Sequence, residues 1–409
     1  MNSPIVIGML LDGKYPSDIR VRKEAESLVA MGFKVIVICP AYNGLKQKET
    51  HNKVIIERIG SNYSFNKKGV LDIRTSLKFV HPWFKKNTPH LIKKYGITHL
   101  HVHDLPLAKT ALLLKQELNC KVILDLHENY PEGLKTWFAW KKSFVKRIKN
   151  KIFFSYDKWL NYEKEMCHQV DHIIAVIDEM KERLITLHQV PENKITLVSN
   201  TELKSFQDTE YTLSHQELFN NHFVITYIGG FGPHRGLDTA ILAIVEIKKS
   251  IPNALLLLVG SGSKDVTDRL NKLVQENKLQ NHVTILGQQP FEKVWGFVHS
   301  SDVNIIPHVS DSHTDNTIPH KLFQILSSKK PILVSSCKPL ERIVKEHDAG
   351  YVFNASDPLD FAQKIITIRN NYPTALKRAL NGHEAITYKN LNWEYDAQKL
   401  SSIYGNDNG

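Results

Sequence analysis

In the stretch Asp302–Ser336, DVNIIPHVSDSHTDNTIPHKLFQILSSKKPILVSS, the residues with usable chemistry are Lys321 and Gln324. A β-branched run, Val303–Ile306, ends at Pro307, and a polar loop leads to Pro319. Proline suits a first helical turn because its missing N–H would be unpaired there anyway. Pro319 is therefore expected to open a helix, and a loop ending at a helix start offers free N–H groups to an anion. Lys321 in that first turn opposes the helix dipole. Its value lies instead in an external anion, such as a diphosphate, held between the ammonium and the helix end.

A second candidate is Tyr227-Ile-Gly-Gly-Phe-Gly-Pro-His-Arg235-Gly-Leu-Asp238. Gly229, Gly230 and Gly232 let backbone N–H groups approach a phosphate, and Arg235 can grip its oxygens as a bidentate fork. A tight turn with a solvent-facing arginine explains the same residues equally well. The regular GxGxxG spacing is missing, which counts against a dinucleotide cofactor. Val259-Gly-Ser-Gly262-Ser is another backbone-exposing turn and reads first as a plain strand-to-helix connection. Taken in order, these parts point to a site for a sugar carried on a nucleoside diphosphate.

The N-terminal half holds Asp125-Leu-His127-Glu128, which ends a β-rich run and leaves His127 at the mouth of a sheet. Taken alone, a histidine so placed is a packing residue, and Glu128 a cap for the next turn. His101-Val-His103-Asp104 has metal-like composition, yet the two histidines alternate on a strand and show no third ligand. Packing is the expectation there, and no metal site. Asp12-Gly13 follows the first strand, and Asp18, Arg20 and Arg22 read as helix-start chemistry.

The elements that must position these residues alternate along the chain. Strands are expected at Ile5–Leu11, Lys34–Cys39, Val54–Ile59, Thr98–His103, Lys121–Asp125, His172–Val176 and Lys194–Val198, with helices such as Ile19–Met31 and Leu105–Leu118 between them. After a polar stretch, residues 201–222, the pattern restarts with strands at Phe223–Ile228, Ala254–Val259, Val283–Leu286, Val303–Ile306, Pro331–Val334 and Tyr351–Phe353. Such alternation argues parallel sheets covered on both faces, with ligands at the carboxyl ends of the strands. The expected division is residues 1–200, a connection at 201–222, a second domain at 223–385, and a C-terminal helical part at 386–409. That last part can cross back to the first domain. Its helix, Leu391–Tyr404, would pack through Trp393, Leu400, Ile403 and Tyr404.

The 409 residues are too many for one ordinary core, and the composition is that of a globular protein. No leader and no apolar run of transmembrane length is evident, so a cytoplasmic location is expected. Four scattered cysteines without a CxxC speak against structural zinc on thiolates and against a disulfide framework. The charge is lopsided. Residues 1–200 carry 32 Lys and Arg against 20 acids, whereas residues 201–409 carry 21 against 22. An anionic partner for the first half alone is implied.

Two segments concentrate that charge. Lys135–Lys158 holds eight basic residues around an apolar stripe of Trp137, Trp140, Phe144, Ile148 and Ile152, the pattern of a helix lying in a membrane interface. Lys67–Lys94 holds eight more, with Phe79, Trp83 and Phe84. Packing of both stripes on the domain is the plainer alternative. Nucleic-acid binding is disfavoured, because apolar stripes run through the basic segments and no nucleic-acid motif is present.

The segments YIGGFGPHRGLD, LLLLVGSGS, VTILGQQP, SSDVNIIPH, TIPHKLFQILSSKKPILVSS and AGYVFNASDPLDFAQKI resemble the C-terminal half of retaining GT-B glycosyltransferases of family 4, the "glycosyl transferases group 1" type. YPSDIRVRKEAESLVAMGFKVIVIC, HLHVHDLPLA, KVILDLHENYPE and DHIIAVIDEMKERL resemble a common acceptor-domain pattern of that family. The resemblance covers nearly the whole chain in the right order. It implies an α/β fold of two Rossmann-like parallel-sheet domains facing each other across a cleft. It further implies a retaining, metal-independent transfer from a UDP- or GDP-linked sugar to a hydroxyl, with no separate cofactor.

By that resemblance Arg235 and Lys321 hold the donor diphosphate, with Gly229, Gly230 and Gly262 beside it. Asn316, Thr317, Ile318 and Pro319 face the donor sugar, Gln324 the ribose, and His127 the sugar or the transition state. Asp12, Gly13, His127 and Glu128 form the acceptor side. An acceptor saccharide on a lipid and an anionic membrane surface at the inner face of the cell membrane complete the expected partners. The chain departs from the family in two respects, one being Gly230 where an arginine often follows the first glycine. Many members also carry two glutamates with seven residues between them where this chain has the amides Asn316 and Gln324, which cannot supply negative charge. A nucleotide-sugar-binding scaffold with impaired turnover is therefore the alternative.

Overall fold

The computed structural model describes residues 4–138, 153–210 and 216–405. It falls into two compact units, residues 1–199 with 396–409, and residues 200–395. The stretch 201–222 thus belongs to the second unit.

The first unit is built on eight strands: β1 Val6–Leu10, β2 Lys34–Tyr42, β3 Lys48–His51, β4 Val54–Tyr63, β5 His99–His103, β6 Lys121–Leu126, β7 His172–Ala175 and β8 Ile195–Leu197. Their order is β3-β4-β2-β1-β5-β6-β7-β8. All pairs are parallel except β3 with β4, a hairpin at the edge. The polar run KETH gave no apolar signal for β3, because an edge strand needs none. β1 is buried throughout, as are β5 and the last five residues of β6, which is what a sheet covered on both faces requires.

The second unit has six strands, all parallel: β9 Phe223–Ile228, β10 Ala254–Val259, β11 Val283–Gly287, β12 Val303–Ile306, β13 Ile332–Ser335 and β14 Tyr351–Phe353. The order β11-β10-β9-β12-β13-β14 reverses direction between β9 and β12. A doubly wound sheet opens a crevice there, at the carboxyl ends of the strands. In the first unit the same reversal lies between β1 and β5.

Two expectations are corrected. The helix after the polar loop runs Lys321–Ser327, so Pro319 lies ahead of it, accepting from Leu322 N in a turn (3.0 Å). Of the aromatic residues in the basic segment Lys67–Lys94, Phe84 is buried, Phe79 stacks on Tyr162 with centroids 3.8 Å apart, and Trp83 lies against Tyr63. Their large faces are better satisfied by aromatic neighbours than by solvent. The exposed apolar residues of that region are instead Phe65, Val70 and Leu77, on the helix Phe65–Lys78. The stripe from Trp137 to Ile152 lies outside the residues whose side chains are described. The terminal helix runs Trp393–Gly405, with Trp393, Leu400 and Tyr404 buried and Ile403 half-buried. Among the described residues no helix is long and apolar enough to cross a membrane.

Candidate functional site

In the second unit the chain leaves β9 through Gly229, at φ 136°. A Cβ there would stand 2.7 Å from Lys321 Nζ, so glycine is what lets the lysine lie against this turn. Gly236, at φ 64°, is pressed on the end of β12, where a Cβ would fall 1.7 Å from the Pro307 carbonyl oxygen. The loops after β9 and β12 are thereby locked together at the reversal of strand order. The turn after β10 joins them: Phe231 N donates to Ser261 O (2.8 Å), and Phe231 pairs with Gly262 in an isolated bridge. Both glycine turns read from the sequence meet here.

Around them lies a cationic cluster. Tyr227 donates its hydroxyl to Gly230 O (2.8 Å), and its ring centroid lies 3.8 Å from Lys321 Nζ. Arg235 Nη1 donates to His308 Nε2 (3.1 Å). The rings of His234 and His313 stand edge to face, 5.4 Å apart. Burial first, and then the neighbouring Arg235 charge, hold Lys321 well below the usual lysine range and His308 well below the usual histidine value. The same two causes bring His234 down to about 3. Lys321 Nζ is buried without a hydrogen-bond partner. A buried amine without a partner beside a guanidinium and neutral imidazoles is an arrangement whose charge an external anion would compensate.

The predicted sugar loop is held by its own backbone. Asn316 Nδ2 donates to Ser312 O (2.8 Å) and Thr317 Oγ1 to His313 O (3.1 Å), while Ile318 is buried. Gln324 is buried too, and its amide is taken by a residue the sequence reading passed over. Its Nε2 donates to Glu202 Oε2 (3.0 Å), and His320 Nε2 lies 2.9 Å from the same oxygen. Glu202 Oε1 accepts from Leu203 N (2.9 Å). It is one of four acids in the polar stretch 201–222, and nothing in the sequence set it apart from the others.

The first unit gathers a different set. Asp18 caps the helix Ile19–Ala30, accepting from Val21 N (3.1 Å). One turn apart on that helix, Arg20 and Glu24 share a face, and β5 brings His101 and His103 to one side of the sheet. β6 registers Asp125 opposite His103. The result is a buried network. Arg20 Nη2 donates to Asp125 Oδ1 (2.9 Å), and Arg20 Nε lies 2.9 Å from Glu24 Oε1. His127 Nε2 contacts Asp125 Oδ2 at very short range. Helix-start chemistry thus accounts for Asp18, whereas Arg20 is a core residue.

His127 retains 15% side-chain exposure, and its Nδ1 is 3.8 Å from Asp104 Oδ1. Burial opposes its charge, but Asp125 and Asp104 outweigh burial and raise it to about 9. Burial also raises Glu24, to about 7, against the pull of Arg20. Asp125, opposed by burial yet facing Arg20 and His127, stays well below the carboxylate range. Glu128 is exposed, and Asn129 Oδ1 accepts from Glu132 N (3.4 Å), so the capping role expected of Glu128 belongs to Asn129. Asp12 is held by the Tyr63 hydroxyl and by Lys68 Nζ (2.7 Å), with Gly13 beside it against Leu11.

Comparison with known proteins gives this geometry a family. Residues 211–384 match the model described as "Glycosyl transferases group 1", and residues 19–201 match that of "Glycosyltransferase Family 4". The alpha-monoglucosyldiacylglycerol synthase of Acholeplasma laidlawii is 24% identical over 93% of this chain and 90% of its own. For three of the curated relatives, the alignments span 65%, 77% and 90% of the relative's length. Two solved structures share the fold. Sucrose-phosphate synthase (tll1590) from Thermosynechococcus elongatus aligns with TM-score 0.78 at 19% identity, covering 98% of each chain. Anabaena Alr3699/HepE, in complex with UDP-glucose, aligns with TM-score 0.71 at 13% identity, covering 98% of this chain and 99% of that one. With both halves matched and two parallel-sheet units of the GT-B kind, the chain belongs to the group 1 glycosyltransferases.

Proposed function

We propose that this protein transfers a sugar, with retention of anomeric configuration, from a nucleoside-diphosphate donor to an acceptor hydroxyl. The observation that carries the donor assignment is Lys321 Nζ, buried without a hydrogen-bond partner against Gly229 and the Tyr227 ring. A buried ammonium is costly unless an anion compensates it, and a diphosphate between Lys321 and Arg235 does so. The UDP-glucose complex of Alr3699/HepE supports a nucleotide sugar as that anion.

In this reading Lys321 and Arg235 bind the diphosphate and neutralise the charge that develops as the nucleotide departs, without a metal ion at the phosphates. The donor phosphate takes the acceptor's proton on the attacked face, so no protein nucleophile is required. His127, fixed by Asp125, serves the sugar. Asn316, Thr317, Ile318 and Pro319 shape the sugar's surroundings, and Gln324 acts at the nucleotide end with its orientation set by Glu202.

The acceptor we infer is a lipid-linked or lipid saccharide in surface-glycan assembly. The Acholeplasma relative is, by its name, a synthase of a glucosyldiacylglycerol, and the surface of the first unit suits an anionic bilayer. An open groove of about 690 Å³ runs along the helices Phe65–Lys78 and Pro82–Tyr95. Leu77, Val80 and Pro82 give it an apolar floor, and Arg74, Lys78, Lys85 and Lys86 surround it with positive charge. Attraction of ~1 kcal/mol per basic residue near anionic lipid makes that rim effective.

The test is a panel of UDP-, GDP-, ADP- and dTDP-sugars, scored by nucleotide release with and without lipid acceptors, beside Lys321→Ala. Release from one donor, lost in the variant, is the expected result. Donor binding without release under every acceptor condition would favour the scaffold that the two amides suggest. Binding indifferent to Lys321→Ala would overturn the diphosphate placement.

A further inference from the structure

We propose that Glu24, His101, His103 and Asp125 form a binding site for one divalent transition-metal ion in the core of the first unit. The sequence showed only the two histidines; the fold supplies the two carboxylates. One ligand atom from each of the four residues lies within 4.8 Å of the others, and all four residues are buried.

Three of the four carboxylate–imidazole distances are close to the edges of a four-coordinate site, and the fourth is longer. His101 Nε2 lies 3.3 Å from Glu24 Oε2 and 3.5 Å from Asp125 Oδ2. His103 Nδ1 lies 3.3 Å from Asp125 Oδ2 and 3.9 Å from Glu24 Oε2. A tetrahedron with bonds of roughly 2.0–2.1 Å has edges of roughly 3.3–3.4 Å. Polar atoms facing this space lack ordinary partners: Glu24 Oε2 and His101 Nε2 are buried without a hydrogen bond, whereas Glu24 Oε1 is paired with Arg20. Unpaired groups of opposite kind in one core site are costly unless something joins them.

The surroundings are arranged as outer-shell partners are around a metal. His101 Nδ1, its far ring nitrogen, is 2.6 Å from the Tyr404 hydroxyl, which fixes the ring with Nε2 turned inward. Arg20 takes the other oxygen of each carboxylate, Glu24 Oε1 and Asp125 Oδ1, both at 2.9 Å. That leaves Oε2 and Oδ2 directed at the histidines. Asp125 Oδ2 also meets His127 Nε2 and, at 3.4 Å, Arg20 Nε. A carboxylate oxygen has lone pairs for both a donor and a cation. Imidazole with carboxylate ligands suits zinc, or cobalt as its spectroscopic substitute.

Full-length protein stripped with a chelator and reconstituted with Zn²⁺ or Co²⁺ tests the site. One tightly held ion per chain is expected, with the visible absorption of tetrahedral Co²⁺ and a raised melting temperature. X-ray absorption should show only nitrogen and oxygen neighbours at roughly 2.0–2.2 Å. Glu24→Gln and His101→Ala should abolish the tight site, and Tyr404→Phe should weaken it ~10-fold. Should His101→Ala fail to fold, the near-isosteric Glu24→Gln and the wild-type spectra still decide. A wild-type chain that takes up no ion overturns the proposal, leaving a salt-bridge network closed by Arg20 and His127. Sulfur neighbours, or full retention of the ion in Glu24→Gln, overturn it as well.

Discussion

The two clusters differ in how they settle their charge. In the first unit's cluster Arg20 lies between Glu24 and Asp125, and Asp125 meets His127. In the second unit Lys321 and Arg235 stand among neutral imidazoles and an aromatic ring, and the lysine has no partner. The first arrangement contributes to holding a fold together. The second has no such balance among the described residues, and glycine at 229 gives Lys321 its room.

The largest break in this comparison is Arg20→Ala. Removing one partner from a buried charge network leaves the rest uncompensated, at a cost of about 3–5 kcal/mol. Urea unfolding of the variant should show it, whereas Lys321→Ala, which removes an uncompensated charge, should leave stability unchanged or improved. The effect reverses for ligand. Lys321→Ala should weaken UDP binding by about 2–3 kcal/mol, roughly 30- to 150-fold, in calorimetric titration.

Protonation sharpens the contrast. The Lys321 pKa is depressed in the folded, ligand-free protein, so the unfolded chain binds more protons between the depressed and ordinary values. Its contribution therefore makes stability rise with pH through that window and fall as pH drops towards the depressed pKa. A bound diphosphate restores the charge. UDP binding should then take up a proton, visible as a buffer-dependent binding enthalpy at mildly alkaline pH and absent in Lys321→Ala.

Smaller effects should come from residues acting at one remove. Glu202→Gln removes the carboxylate that Gln324 and His320 share and should weaken UDP binding by about 1 kcal/mol, roughly fivefold. Asn316→Ala should leave UDP affinity unchanged within ~0.5 kcal/mol, since its amide bonds the loop's own backbone. A large loss of UDP affinity in Asn316→Ala would place the nucleotide elsewhere.

Much of the fold was legible because parallel strands buried on both faces are near-continuous apolar runs. β9, β10, β12 and β14 run as expected to the residue. The edge strand β3 was missed because an exposed edge carries no such run. Pro319 misled at the helix start: a proline suited to a first turn can equally precede it, and local preference alone does not separate the two. The glycine turns that meet beside Arg235 and Lys321 were readable as turns, since their spacing within each segment is short.

What the sequence by itself determined is the list of local parts: strand runs, glycine turns, cations near a loop end, and the family those segments resemble. Tertiary structure alone decided which parts meet. Glu24 and Asp125 lie more than a hundred residues apart, and so do Glu202 and Gln324, yet the fold brings the first two to the same histidines and bonds the second two to each other. Pairing at that separation is set by strand order and helix packing, which no local pattern encodes. The same packing left Lys321 Nζ buried without a hydrogen-bond partner, a result that no local pattern around the lysine encodes.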